Sequence, residues 1–297
     1  MSSTRLVSLA SLSALAVPPP RFIEYAAAGG FDAVGVRVSD RPGERGHLLA
    51  EGSRLLADTL LALDDHGLAV LDVEVVKIHP GSSRSDWEPV LFAGAALGAR
   101  YLIATVLDDD ADRAGDNLAA LAQAAAQFGL RCCLEPMVFT AVRDLRAGRA
   151  LLDESGATEA GLLLDALHWS RAGGTVDGLG AEVERGGIPY WQLCDARMTG
   201  PARDDTTAMT EARGNRLPPG AGALPLRRLA GALGPSASVS VEVPSARGAA
   251  DPRRWAIELG TATRRLLARV PTVADNPEPA GSRRYQPPGH HDSKVLS

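Results

Sequence analysis

The chain has 297 residues, of which 45% are hydrophobic and only 4% aromatic, so small aliphatic side chains must fill its core. Such side chains let helices pack closely on sheets, which favours an α/β architecture. The formal net charge of -5, with no cluster of lysine or arginine, gives nucleic acid no attractive field, and we expect a small-molecule partner instead.

The chain begins with MSSTRLVSLASLSALAVPPP, an apolar and serine-rich run behind a single arginine. A signal peptide is one interpretation of this run; a first buried strand with its loop is the other, and it fits the following pattern better. No stretch approaches the roughly 20 apolar residues that a membrane helix needs, so we expect no membrane contact. Cys132, Cys133 and Cys194 form no CxxC pair and no disulfide framework, and we expect a cytoplasmic protein.

Short runs rich in leucine and β-branched residues recur along the chain, and we predict a strand at each: RLVSLA, DAVGVRV, LAVLDVEVV, RYLIATV, LRCCLE, GLLLDA, IPYWQLCD and SVSVEV. Alanine-rich stretches with helical spacing lie between them, and NLAALAQAAAQF repeats Leu118, Leu121 and Phe128 along one face. Gly67 and Gly129 follow predicted helices at the usual stop position.

We therefore predict a single-domain α/β protein, a (β/α)8 TIM barrel over residues 1–270, because near-continuous apolar strands suit a parallel sheet covered on both faces. A doubly wound open sheet is the competing fold, and no GxGxxG follows its first strand to favour the dinucleotide-binding form. Residues 271–297 are dense in proline, glycine and polar residues and are predicted to be a flexible tail, with His290 and His291 interpreted as incidental.

Polar side chains stand at the ends of four successive predicted strands: Glu135 in CLEP, Asp165 in LLLDALH, Gln192 with Asp195 in YWQLCDA, and Glu242 in VSVEVPS. The carboxyl ends of barrel strands meet at one rim, where active sites of this fold lie. Carboxylates crowded at that rim would repel one another, and a divalent cation resolves the repulsion. Carboxylate and amide oxygens favour a hard ion, so we predict one Mg²⁺ or Mn²⁺.

The motifs LEP, DALH, QLCDA, RLPPGAG and SVEVP resemble the xylose isomerase-like barrel superfamily, the sugar phosphate isomerase/epimerase group, which includes ketose 3-epimerases, inosose dehydratases and 3-dehydroshikimate dehydratases. The resemblance implies that Glu135, Asp165 and Glu242 bind a metal and that His168 contacts the substrate. Gln192 stands where many members have a histidine ligand. It keeps an oxygen donor, disfavours zinc-like binding, and resembles the 3-dehydroshikimate dehydratase branch.

Further candidates for substrate binding come from polar residues near the predicted rim. His79 follows the third strand and is either a pocket residue or a structural loop histidine. Glu74 lies in an apolar run, so it is either ion-paired or part of the site. Arg197 is similar to an arginine that holds a substrate oxygen in relatives, and Arg216 is a second candidate.

Two tryptophans and one loop also lie near the predicted rim. Trp87 and Trp169 are interpreted either as an apolar wall of the site or as packing residues. The segment RMTGPARDDTTAMTEARGN, residues 197–215, has little apolar content and is predicted to be a loop over the site.

The predicted reaction is isomerisation or epimerisation of a keto-sugar or polyhydroxy carbonyl compound through an enediolate, with Glu135 and Glu242 as the acid–base pair. A dehydratase using the same enolate, with His168 or a protonated glutamate assisting departure of the hydroxyl, is the alternative. A non-catalytic sugar-binding barrel stays open. A related DNA endonuclease is disfavoured, because it needs a histidine-rich zinc site and only six histidines are present. The oligomeric state stays open.

Overall fold

One parallel sheet forms the centre of the protein. The structure is a computed structural model that describes residues 5–38, 46–200 and 206–270. Its strands are β1 (Val7–Leu9), β2 (Ala33–Arg37), β3 (Ala69–Ile78), β4 (Tyr101–Val106), β5 (Arg131–Leu134), β6 (Gly161–Leu162), β7 (Leu164–Asp165), β8 (Tyr190–Leu193) and β9 (Ser238–Val241). Their order in the sheet is β6-β5-β4-β3-β2-β1-β9-β8-β7, and each of the pairs is parallel.

The sheet closes on itself through the predicted sixth strand. That strand is interrupted at Leu163, so that β6 pairs with β5 and β7 pairs with β8. The amide of Leu163 still donates to the carbonyl of Leu134 at 2.8 Å, which keeps the run attached to β5. The predicted TIM barrel is confirmed, and the doubly wound open sheet is wrong. The tail predicted over residues 271–297, with His290 and His291, lies outside the described residues.

Helices cover the outside of the sheet in alternation with the strands. They are α1 (Pro19–Gly29), α2 (Arg54–His66), α3 (Arg84–Ala96), α4 (Ala111–Gln127), α5 (Leu145–Glu154), α6 (Ala166–Arg171), α7 (Gly180–Glu184), α8 (Thr207–Gly214), α9 (Leu226–Leu233), α10 (Ala246–Ala250) and α11 (Pro252–Leu267), with 3-10 turns at Ser11–Ala14 and Val176–Leu179. No helix in the described ranges combines the length and apolar character that crossing a membrane requires.

Local sequence signals explain where several helices begin and end. The side chains of Ser53, Asp110 and Asp144 accept hydrogen bonds from the first turns of α2, α4 and α5. These bonds satisfy amide groups that have no partner within the helix. Gly67 and Gly129 have positive φ angles of 63° and 75° just after α2 and α4, a conformation that costs glycine little.

Two glycines allow α1 and α11 to touch next to the pairing of the first and last strands. A Cβ atom on Gly260 would lie 2.0 Å from the carbonyl oxygen of Gly29. The guanidinium of Arg264 donates to the carbonyl oxygens of Gly29 and Gly30 at 2.9 and 3.0 Å. Only glycine at position 260 therefore permits this approach of the two helices.

Substitution Gly260→Ala tests that contact. The new methyl group would force the helices apart, and overpacking of this kind costs about 1–3 kcal/mol in the free energy of unfolding. Gly231→Ala in α9 is the matched control, because a Cβ there meets nothing within 4 Å and alanine favours a helix by up to about 1 kcal/mol. Urea denaturation should show a lower free energy of unfolding for G260A than for wild type and no decrease for G231A. Equal stability of the two variants would mean that the helices do not need this glycine.

Candidate functional site

The carboxyl ends of the last strands bring four predicted ligands together. Glu135 directly follows β5, Asp165 ends β7, Gln192 lies in β8 and Glu242 directly follows β9. All four side chains are buried, and one carboxylate oxygen from each of Glu135, Asp165 and Glu242 lies within 4.8 Å of the other two. The structure thus groups these residues at one rim of the barrel.

A cavity of about 530 Å³ opens above this group, which is a volume typical of small-molecule sites. Charged and polar side chains on its wall are those of Arg37, Glu74, Lys77, Thr105, Glu135, Thr140, His168, Arg213, Arg216 and Glu242. Apolar side chains such as Leu12, Met137 and Phe139 complete the wall. Asp165 and Gln192 do not line this cavity, but they contact Arg216 and Glu242, which do.

Arg216 is bound by two of the three carboxylates. Its Nη1 lies 2.5 Å from Oδ2 of Asp165 and its Nη2 lies 2.9 Å from Oε2 of Glu242. Its Nε donates to the carbonyl oxygen of Ala212 at 2.8 Å, which joins the guanidinium to α8. The sequence placed Arg216 among candidate substrate ligands and gave no sign of these ion pairs, because they join positions far apart along the chain.

The remaining oxygen of each of these carboxylates also has a partner. Oδ1 of Asp165 accepts the backbone amide of His168 at 2.9 Å, which caps α6 and explains the three-residue spacing in DALH. Oε1 of Glu242 accepts the amide Nε2 of Gln192 at 3.1 Å. Among the described residues, Oε1 of Gln192 is buried without a hydrogen-bond partner, and buried oxygens of this kind normally bind something.

Burial and mutual repulsion shift the acidities in the group. The pKa of Glu135 is raised well above its usual value by burial and by the charges of Glu242 and Asp165. Burial raises the pKa of Glu242 to about 7, although Arg216 opposes the change. Burial also acts on Asp165, but Arg216 and His168 outweigh it and lower its pKa. Burial lowers the pKa of His168 to about 4, so its imidazole is neutral at pH 7.

The residues present fit a divalent cation. Three clustered carboxylates and the unpartnered amide oxygen of Gln192 are oxygen donors of the type that hard ions bind. A cation also offsets the repulsion among Glu135, Asp165 and Glu242. The three carboxylates, with Gln192 beside Glu242, therefore offer the kind of donors that a divalent metal binds.

The other predicted site residues divide into those inside and those outside the cavity. Glu74 lines it, with one oxygen 2.7 Å from Arg37 and the other bonded to the hydroxyl of Ser11. Glu74 is therefore both ion-paired and on the cavity wall, so the two interpretations of this residue do not exclude each other. His79 and Arg197 are exposed and do not line the cavity.

The two tryptophans and the predicted loop are also placed by the structure. Trp87 in α3 and Trp169 in α6 are buried in the main hydrophobic core and do not line the cavity, so packing explains them. Residues 201–205 of the predicted loop lie outside the described residues. Its second half forms α8, from which Met209, Ala212 and Arg213 reach the cavity wall.

A buried polar group below the site was missed by the sequence analysis. Ser8, Asp72 and Ser240 are fully buried, and Asp72 lies next to a register shift between β2 and β3. Burial, followed by the charges of Glu74 and Glu242, raises the pKa of Asp72 well above its usual value. The position of Asp72 two residues before Glu74 in LDVEVV was the available signal, but alternation alone does not reveal a register shift.

Comparison with known proteins places this geometry in a family. Residues 23–264 match the family model described as "Xylose isomerase-like TIM barrel". The chain belongs to this family. The resemblance inferred from the sequence motifs is therefore confirmed, while no curated protein matches the chain in sequence.

Solved structures of the family share the fold at low sequence identity. An IolI protein with a bound zinc atom has a TM-score of 0.73 and 18% identity, covering 89% of this chain and 99% of that one. An L-ribulose 3-epimerase has a TM-score of 0.66 and 16% identity, and the match covers 89% of this chain and 95% of that one. The probable 3-DHS dehydratase AsbF from Bacillus anthracis has a TM-score of 0.68 and 13% identity, and the match covers 87% of this chain and 98% of that one. A fusion of a xylose isomerase-like TIM barrel with 4-hydroxyphenylpyruvate dioxygenase has a TM-score of 0.70 and 20% identity. The match covers 89% of this chain but only 43% of that longer chain.

The substitution Asp72→Asn tests whether the buried carboxyl group of Asp72 is held in its neutral form. A raised pKa in the folded state gives stability that is present at low pH and lost as the pH rises, at up to about 1.4 kcal/mol per pH unit. Asparagine has no such loss, so the free energy of unfolding of D72N should rise relative to wild type between pH 5 and pH 8. Urea denaturation measures this difference. Asp109 is exposed, so D109N is the control, and its free energy of unfolding should differ from that of wild type by the same amount at each pH. If the difference for D72N is equally independent of pH, the carboxyl group of Asp72 is not held neutral.

Proposed function

We propose that the protein is a divalent-metal-dependent isomerase or epimerase that acts on a keto-sugar or polyhydroxy carbonyl compound. The observation that carries this proposal is the meeting of Glu135 and Glu242 in one cavity, within 4.8 Å of each other and of Asp165. Two carboxyl groups on a cavity wall can remove and return a proton, and their third neighbour completes an oxygen-donor cluster.

Glu135 and Glu242 are the proposed acid–base pair. One of them removes the proton from the carbon next to the substrate carbonyl, which leaves an enediolate. The other returns a proton to the opposite face of that carbon, which gives the epimer, or to the adjacent carbon, which gives the isomer. The raised pKa values of both groups support this role, because a group that transfers protons works best with a pKa near the working pH.

Glu135, Asp165, Gln192 and Glu242 are the residues that would hold the cation. When bound, a divalent cation would stabilise the negative charge that develops on the substrate oxygen. We propose Mg²⁺ or Mn²⁺, because the donors are carboxylate and amide oxygens and no imidazole stands at position 192.

Other residues of the wall would position the substrate. His168 is neutral at pH 7 and lies on the cavity wall, so its ring can exchange hydrogen bonds with a substrate hydroxyl without adding charge. The ion-paired Glu74 and Arg37 offer further polar contacts on the opposite part of the wall formed by β2 and β3. A polyhydroxy substrate would find partners there for several of its oxygens.

A dehydratase is the second candidate, and Gln192 is the observation that favours it. The resemblance places a glutamine at this position in the 3-dehydroshikimate dehydratase branch. In that reaction the enolate expels a β-hydroxyl as water, with a proton supplied by His168 or a protonated glutamate. Both candidates share the first proton transfer, so they differ in where the bond breaks afterwards.

We further propose that the protein acts on small molecules in the cytoplasm, with its oligomeric state left open. Its three cysteines are free and buried, which suits a reducing compartment. The net charge of -5 disfavours nucleic acid as a substrate.

Substitutions Glu135→Gln and Glu242→Gln test the acid–base pair. Each removes a proton-transfer group while keeping the side-chain shape, so we expect kcat to fall by about 10²–10⁴-fold. Glu154→Gln at the exposed end of α5 is the control and should keep wild-type kcat. Activity of E135Q and E242Q within about threefold of wild type would contradict the pair.

An assay with Mg²⁺ or Mn²⁺ on ketohexoses, inososes and 3-dehydroshikimate separates the candidate functions. Uptake of solvent deuterium by the recovered substrate or isomer, without loss of water, is expected for the isomerase. Loss of water with a new ultraviolet chromophore would identify the dehydratase instead. Absence of divalent-ion binding by calorimetry would favour the non-catalytic sugar-binding barrel and contradict both.

A further inference from the structure

The oxygens that would bind a metal are already in use. Oδ1 of Asp165 bonds to the amide of His168, and Oε1 of Glu242 bonds to the amide of Gln192. The second oxygen of each carboxylate contacts Arg216, at 2.5 Å for Asp165 and 2.9 Å for Glu242. A metal bound by Asp165 and Glu242 would compete with Arg216 for these two oxygens, because the other oxygen of each carboxylate already accepts a hydrogen bond from His168 or Gln192.

The charges explain why Arg216 takes this position. Glu135, Asp165 and Glu242 can carry three negative charges in a buried space, where their repulsion is strong. The buried guanidinium supplies one positive charge and a planar fork of donors, which suits two carboxylates at once. Arg216 therefore does part of what a divalent cation would do for the same oxygens.

We propose that Arg216 is the resident counter-cation of the metal-free site and that a divalent metal must displace it from Asp165 and Glu242. This inference rests on the proposed metal-dependent function and adds a competition built into the site. Arg216 bridges Asp165 and Glu242 before the metal arrives and offsets the negative charge beside Glu135. It also weakens the affinity for the metal, because part of the binding free energy is used to break two buried ion pairs.

Metal binding to chelator-treated protein tests this competition. Mn²⁺ is titrated by calorimetry into wild type, Arg216→Met and Arg216→Lys. We expect R216M to bind Mn²⁺ at least tenfold more tightly than wild type. R216K, which keeps one charge but cannot bridge two carboxylates, should lie between them. The control is Arg247→Met, which breaks the exposed ion pair with Glu258 at 2.7 Å between the outer helices α10 and α11; it should bind as wild type does.

The outcomes separate this inference from the proposed function. If wild type binds Mn²⁺ and R216M binds it equally well or more weakly, the competition is overturned but the proposed metal-dependent function is not. Binding by R216M alone would support the competition and overturn metal dependence of the wild type. No binding by either protein would overturn both.

Folding and a loaded structure give two further readouts. If R216M folds, by circular dichroism, only when Mn²⁺ is present, the role of Arg216 as counter-cation is supported. If R216M does not fold at all, R216K decides: tighter binding than wild type supports the competition, and wild-type affinity overturns it. A crystal structure of wild type with Mn²⁺ should show Arg216 beyond 3.5 Å from Oδ2 of Asp165 and Oε2 of Glu242. Retention of both contacts beside the ion would overturn the inference.

Discussion

Electrostatic repulsion among three buried carboxylates is the constraint on which the site depends. Glu135, Asp165 and Glu242 come from different strands, and the closed sheet holds their oxygens within 4.8 Å. At such separations like charges cost several kcal/mol even at an intermediate dielectric. Neighbouring groups offset this cost. Arg216 pairs with Asp165 and Glu242, and the amides of His168 and Gln192 donate to the same two carboxylates. Burial and repulsion also raise the pKa of Glu135 and Glu242, which favours their protonated forms.

The barrel beneath the rim is what makes this crowding tolerable. A layer of inward-facing residues that includes Leu71, Ile103, Cys133, Leu163 and Tyr190 fills the barrel below the site. The rings of Tyr101 and Tyr190 stack with centroids 4.6 Å apart in the same region. A close-packed interior of this kind resists displacement, so the strand ends keep their positions although the charges repel one another. A barrel scaffold of this kind can support several reactions, because residues at the rim determine the chemistry.

The sequence predicts the fold well because its signals are local and repeated. Apolar runs, helical spacing and stop glycines occur in every unit, and the acids at strand ends follow from the geometry of parallel barrels. The interruption at Leu163 could not be predicted, since each half of that strand follows a different neighbour. The ion pairs of Arg216 and the burial of Asp72 were missed for a related reason: their partners are brought close only by closure of the sheet. His79 and Arg197 look suitable by chain position, but a short displacement along a loop places a side chain outside a cavity.

Asp165 joins two tasks in one side chain, because one oxygen starts α6 and the other belongs to the carboxylate group. Loss of the whole carboxylate would therefore loosen the first turn of α6 and move His168 in addition to removing an oxygen donor. Experiments that vary this position will report on both at once unless the replacement keeps an acceptor for the amide of His168. The hydrogen bond to the amide of His168 requires an oxygen at residue 165 whether or not a cation is bound.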